Sequence, residues 1–376
     1  MSGEKGLLAR WPKGGPPVVW EKAVGEGFSG PVVVGKQLIL FHRQDKAEIV
    51  ESLDALTGKS QWKFSYATAY EDSYSKGDGP RATPLVAGDH IYTLGAEGKL
   101  HCFDLGGKKI WSRVLADDYE LRKGFFGIAT SPLFEDGKII VNVGAANAGI
   151  VAFDAKTGKE VWKATDDEAS YSSPVAATID GVRHVIFVTR AGLVSLDPQN
   201  GAVRFRKPFR ARLEASVNAA APVVAGDLLF LSAEYGVGAV VFKVKKDGVE
   251  EVWKSGAALS NHYNTSVERG GFLYGIDGRQ EGGNARLRCV DLKTGKVRWE
   301  KEQFGCASLI LLADGMLLAM REAGDLVAID ATPDGYRELG RAKVLAPPVR
   351  AEIALANGFL YARDNQKLIC LDLRNK

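Results

Sequence analysis

A chain of 376 residues with 45% hydrophobic content can bury a large core, and its 43 glycines against 14 prolines suit a fold with many tight turns. Its 49 basic and 46 acidic residues leave a net charge of +3, too near balance for the basic face that nucleic-acid binding needs. No apolar run approaches the roughly 18 to 20 residues of a membrane-spanning helix, so no transmembrane segment is expected.

In chain order, residues 1–16 read as an irregular arm, with the run from Trp11 to Pro16 expected to pack outside the rest. The start is polar and lacks the apolar core of a secretory leader. Residues 17–376 read as one domain. Pro17-Val18-Val19-Trp20 is a lone strand, after which a pattern repeats. Each unit opens with small residues, as in Ser29-Gly30-Pro31, Ala82-Thr83-Pro84, Thr130-Ser131-Pro132, Ser172-Ser173-Pro174 and Ala220-Ala221-Pro222. Small residues there suit inner strands crowded around an axis. An apolar strand follows, such as Gln37-Leu38-Ile39-Leu40-Phe41 or Phe359-Leu360-Tyr361-Ala362.

The unit closes with a hairpin, written most fully in Val151-Ala152-Phe153-Asp154-Ala155-Lys156-Thr157-Gly158-Lys159-Glu160-Val161-Trp162. Asp154 can bond its own backbone across the turn, and Gly158 supplies a positive φ. Copies run through Asp54 to Trp62, Asp104 to Trp111 and Asp291 to Trp299, with degenerate ones leading to Phe205 and Leu339. Near Asp247 the turn is displaced, but Trp253 keeps its place. Ring positions Trp20, Trp62, Trp111, Trp162, Phe205, Trp253, Trp299 and Leu339 are 40 to 51 residues apart. A period in the forties with strand-turn-strand content predicts an all-β, eight-bladed β-propeller of four-stranded antiparallel blades. The last unit lacks its Trp strand and the N-terminus lacks the three strands before one, so the N-terminal strand is expected to complete the last blade and close the ring.

Cys102, Cys289 and Cys370 each stand two residues before a repeat Asp, in three different blades, and read as core thiols. Cys306 begins another strand, and no pair has zinc-ligand spacing.

The recurring Asp, Thr-Gly turn and Trp resemble the quinoprotein-type, PQQ-like repeat propellers, over residues 17–373. That family includes quinone-dependent dehydrogenases and the outer-membrane assembly lipoprotein of the barrel-assembly machinery; the short bacterial members are the most similar. The dehydrogenases, the resemblance implies, stack pyrroloquinoline quinone between a Trp and an adjacent-cysteine disulfide, over a calcium held by Glu, Asn and Asp. This chain has no adjacent cysteines and uses six of its seven Trp at ring positions, so no such cofactor and no metal are expected. The assembly lipoprotein carries a lipid-attached N-terminal cysteine, which has no counterpart here. Related propellers are commonly exported, which implies a periplasmic or secreted protein if a leader has been removed, and otherwise a cytoplasmic one.

Function is expected in the longer loops, which join outer strands to the next inner strand and second strands to third, and open on one face. The run Ser260-Asn261-His262-Tyr263-Asn264-Thr265 is the richest, and Arg81, Tyr171, Asn218 and Arg350 occupy matching places. The second-to-third links add Tyr235 and the arginines Arg43, Arg190, Arg279, Arg321 and Arg363. Such a rim suits a carboxylate-bearing ligand, because a guanidinium offers a forked pair of donors. Pairing of these arginines with acidic neighbours is the plainer alternative, as is a hydrogen-bonded plug for residues 261–264. The leading expectation is a monomeric, non-catalytic scaffold binding a protein, peptide or glycan through Arg81, Tyr171, Asn218, Tyr235, Asn261, His262, Tyr263, Asn264, Arg279 and Arg350. The alternatives are a lyase or hydrolase on an acidic glycan, with His262 or Tyr263 removing a proton, and, disfavoured by the cysteines and tryptophans, a quinone-dependent dehydrogenase using pyrroloquinoline quinone with calcium.

Overall fold

The computed structural model describes residues 2–375 except 13, 73, 75, 76, 122, 123, 215, 246, 247 and 282, so the displaced turn at Asp247 lies outside the described residues. Among those described, the strands form eight four-stranded antiparallel sheets, each running from an inner to an outer strand. Blades 1 to 7 take residues 32–67, 85–114, 133–164, 175–208, 223–255, 267–301 and 307–343 in order. Blade 8 takes residues 354–372, and the strand Val18–Ala23 pairs with Lys367–Asp372 as its outer strand. Trp20 stands opposite Cys370 in that pairing, so the ring closes as expected and leaves no blade one strand short.

The repeat residues meet between blades. Asp154 Oδ1 accepts from the Thr157 amide at 2.8 Å and from its hydroxyl at 2.7 Å, which fixes the turn. Gly158, at φ +70, then offers bare backbone to the Trp111 ring of the preceding blade; a β-carbon would lie 2.7 Å from that ring. Trp111 Nε1 donates to the Ala155 carbonyl at 2.9 Å. The same bond joins Trp20 to Ala55, Trp62 to Leu105, Trp162 to Pro198, Trp253 to Leu292 and Trp299 to Thr332. Each indole is thus buried on one side and hydrogen-bonded on the other, the pairing that makes a buried Trp favourable. Because Trp20 belongs to the closing strand, it also fastens blade 8 to blade 1.

Blade 7 departs from the expectation. Its outer strand places Gly340, not Leu339, opposite Ala328, the position an indole holds elsewhere; Leu339 falls in the bulge. The N-terminal arm occupies that space. Leu7, Ala9 and Trp11 pack with Leu339 against the buried core shared by blades 7 and 8. The Leu8 amide donates to the Leu373 carbonyl at 2.7 Å and the Ser2 amide to Leu311 at 2.8 Å.

Around the axis, successive inner strands are linked by hydroxyls. The Gly30 amide donates to Thr83 Oγ1 at 3.1 Å, Thr83 to Ser131 at 3.0 Å, Ser131 to Ser173 at 3.2 Å and Ala221 to Thr265 at 3.0 Å. Small lead-in residues are therefore needed for crowding and for these bonds. All four cysteines are buried free thiols. Cys102, Cys289 and Cys370 stand opposite Tyr92, Tyr274 and Tyr361.

Candidate functional site: the loop face

The ten residues expected on this face separate into two groups. Over the early blades, Arg81 donates to Asp72 at 3.1 Å and to the Gly77 carbonyl at 3.1 Å, with its guanidinium over the rings of Phe28 and Phe126. The Tyr171 hydroxyl accepts from the Phe126 amide at 3.0 Å. Asn218 donates to the Thr189 and Phe209 carbonyls at 3.0 and 2.9 Å. These three side chains brace the long loops onto one another.

The second group lies over blades 5 to 8. Asn261 is buried, donates to the Ile276 carbonyl at 2.8 Å and accepts from Ser266 at 2.9 Å. His262 follows, with Nδ1 2.7 Å from Gln280 Oε1 and Nε2 2.9 Å from the Tyr235 hydroxyl. A carboxamide oxygen can only accept, so Nδ1 carries the proton and Tyr235 donates to Nε2. Burial pulls the imidazole below its ordinary pKa, and the nearby Arg279 adds to this. Tyr235 sits at φ +63, the left-handed region that a bulky side chain rarely adopts, with the Arg279 guanidinium 4.6 Å over its ring. The Tyr263 hydroxyl is buried beside the Cys306 thiol, and burial pushes both upward, the thiol to about 12. Asn264 is buried with its carboxamide oxygen unpaired.

Beside this plug opens a cleft of about 480 Å³ lined by Arg279, Gln280, Cys306, Arg321, Glu322 and Arg350, among others. Neither His262 nor Tyr263 lines it. Its arginines each face a carboxylate: Arg279 with Glu281 at 3.2 Å, Arg321 with Asp325 at 3.1 Å and Arg350 with Glu322 at 2.6 Å.

The remaining rim arginines divide. Arg190 pairs with Glu168 at 2.9 Å. Arg43 and Arg363 do not project from the face. Both are buried, Arg43 bonding the carbonyls of Asp45 and Asp78 and Arg363 those of Asp364 and Gly25. A guanidinium with five donors satisfies several loop carbonyls at once, so these two clamp backbone. The carboxylate partners were the residues that the sequence left unnamed; Glu281 and Asp325 lie within four residues of their arginines, whereas Glu168 and Glu322 reach theirs from another loop.

The residues present do not fit a quinone over calcium. Six indoles are committed to the turns between blades, and no two cysteines are adjacent. Among the described residues no three His, Cys, Asp or Glu side chains are grouped to hold a metal. No helix among them is long and apolar enough to cross a membrane.

Known proteins place this geometry in context. An outer membrane protein assembly factor BamB from Burkholderia pseudomallei is 26% identical over 243 residues, covering 61% of this chain and 57% of that protein. The corresponding protein of Moranella endobia is 22% identical over 305 residues, covering 76% of this chain and 74% of that one. The match thus spans just over half of the first relative and about three quarters of the second. The crystal structure of BamB from Moraxella catarrhalis superposes with a TM-score of 0.71 at 15% identity, over 95% of this chain and 99% of that one, a likeness of fold. The family model described as outer membrane protein assembly factor BamB matches residues 3–118 and 46–301, and with the recurring Asp, Thr-Gly and Trp turns this chain belongs to that family of PQQ-like repeat propellers.

Proposed function

We propose that the chain is a non-catalytic scaffold whose loop face holds a partner protein during the assembly of outer-membrane proteins, in the cell envelope. The observation that carries this reading is the state of the face itself. Asn261 and His262 form a hydrogen-bonded plug, and Arg279, Arg321 and Arg350 already have carboxylate partners. A preformed catalytic pocket would have the base and the cations converging on open space. Here one base candidate, His262, has both ring nitrogens engaged, the other, Tyr263, has its hydroxyl buried away from the cleft, and an acidic glycan would have to displace a carboxylate from each arginine. Tyr and Arg side chains on a rigid, mostly satisfied surface are instead the residue types that dominate protein interfaces. Family membership supports the assembly role.

The test is site-specific photocrosslinking in intact cells, with the crosslinker at Arg279 or Arg350 and, as comparison, at Thr157 or Thr294 on the opposite face. Adducts with an outer-membrane protein assembly component from the first pair are expected. Adducts only from the second pair, or a chain that fractionates with the cytosol, would overturn the proposal.

A further inference from the structure

The inner strands leave one repeat position out of pattern. Val32 pairs with Ile39, Ile310 with Leu318 and Ala354 with Tyr361, which puts Gly30, Ser308 and Glu352 at the same place in blades 1, 7 and 8. In blades 2, 3, 4 and 6 this position carries a hydroxyl, that of Thr83, Ser131, Ser173 or Thr265, which accepts from the preceding blade, and in blade 5 it carries Ala221. At blade 8 it carries a carboxylate. Gly30 makes the room: a β-carbon there would lie 3.0 Å from that of Glu352 and 2.9 Å from its carbonyl oxygen.

Glu352 is exposed at the mouth of the central channel, on the side of the loop face. Protein surrounds it closely enough to push its carboxyl up to about 7. Among the described residues no Lys or Arg pairs with it, in contrast to the acidic residues of the adjoining cleft, Glu281 and Glu322. On the neighbouring blade the Ser308 hydroxyl is buried and has no hydrogen-bond partner, and the Asn264 carboxamide oxygen on blade 6 is in the same state. Buried polar atoms are almost always satisfied, so an orphaned hydroxyl at the equivalent position of the adjacent blade calls for a donor. Among the described residues Glu352 belongs to no group of three or more His, Cys, Asp or Glu that could hold a metal ion. One negative charge with neutral oxygens suits a singly charged donor with several N–H groups, which a primary ammonium is.

We infer that the channel mouth is a receptor for one lysine side chain of the partner protein, with Glu352 as counter-charge and the Ser308 hydroxyl as a second acceptor. A lysine stem is long and slim enough to enter where a folded surface cannot, so the contact adds register to a face that is otherwise flat. The inference rests on the scaffold reading for the owner of the lysine, but the chemistry of the mouth can be measured without the partner.

The experiment titrates the intact chain with Nα-acetyl-lysine amide, with the uncharged norleucine analogue and with calcium chloride at matched ionic strength. Melting temperature and the carbon-13 shift of the Glu352 carboxyl are read. The lysine compound is expected to raise the melting temperature and move the Glu352 signal while the norleucine compound does neither. Binding should weaken about tenfold in Glu352→Gln, the scale of one charge-assisted hydrogen bond, and less in Ser308→Ala. Equal responses to lysine and norleucine compounds, or a response to calcium alone, would overturn the inference. Crosslinking from Arg279 that survives in Glu352→Gln, with no lysine response in the wild type, would sink the channel site and leave the scaffold reading standing.

Discussion

The indole of Trp11 lies against the backbone of Gly340: a β-carbon on that glycine would stand 3.3 Å from Cε3 of Trp11 and 2.4 Å from the Ala9 carbonyl oxygen. Every other blade but the fourth has its own indole at the matching place on its outer strand. Blade 7 would have to dock its ring on the last hairpin of the propeller, and closure has opened that hairpin by taking its outer strand from the N-terminus. The arm therefore wedges the seam from outside. Trp11→Ala should lower stability by about 1 to 3 kcal/mol, less than a fully buried ring, and Gly340→Val should do the same by lifting the arm. Urea unfolding of both variants, with limited proteolysis of the arm, checks this; a proteolytically exposed arm without stability loss would count against it.

Indole docking between the other blades predicts a larger cost. Trp162→Ala should destabilise by roughly 3 to 5 kcal/mol, since the cavity opens at the joint between blades 3 and 4. A loss below about 1 kcal/mol would contradict the packing described. Gly158→Ala should also destabilise, because its φ of +70 disfavours a side chain and the β-carbon would meet Trp111.

Acid should weaken the seam between blades 8 and 1. Glu51 is buried there, with Lys22 of the closing strand and Lys63 each 3.4 Å away and His42 Nε2 at 3.3 Å. Burial alone would raise its carboxyl, but His42, Ser60 and the two lysines outweigh it and hold it at about 2 against an ordinary 4.5. A depressed carboxyl stabilises the fold above its unfolded pKa, and that stability is lost as pH falls from about 4.5 toward 2. The linkage amounts to roughly 3 kcal/mol. His42, whose pKa burial lowers, works in the same direction, because the unfolded chain takes up its proton first. Denaturant melts between pH 6 and 3 should show a slope that flattens in Glu51→Gln.

His262 reports on the plug. Tyr235→Phe removes the donor to its Nε2 and with it a preference for the neutral ring. The imidazole titration, followed by proton NMR, should move upward toward its ordinary value, with a stability cost of about 1 kcal/mol. An unchanged titration would mean that Tyr235 does not hold the ring.

The thiols should be inert in the native state. Burial raises Cys102 and Cys289 to about 11 and Cys306 and Cys370 to about 12, far from the thiolate form. Alkylation at pH 8 should begin only on unfolding, and a reductant should leave the melting temperature unchanged.

The sequence by itself determined the blade count, the closing strand and the buried free cysteines, because each depends on a local pattern repeated in register. Asp154, Thr157 and Gly158 specify a turn within a few residues, and eight ring positions 40 to 51 residues apart leave one architecture that hides its edges. Only the tertiary structure decided what those residues touch. Trp162 and Gly201 are far apart in sequence, yet they form one joint, and the arm's fit at Gly340 follows from a one-residue bulge that no period reveals. The loop face was legible as a set of residue types, but whether an arginine is free depends on which carboxylate a neighbouring loop brings to it. Glu352 had a signal, a carboxylate at the place where other units carry a glycine, alanine or hydroxyl. Its meaning needed the channel, since charge without a partner is a property of three-dimensional surroundings.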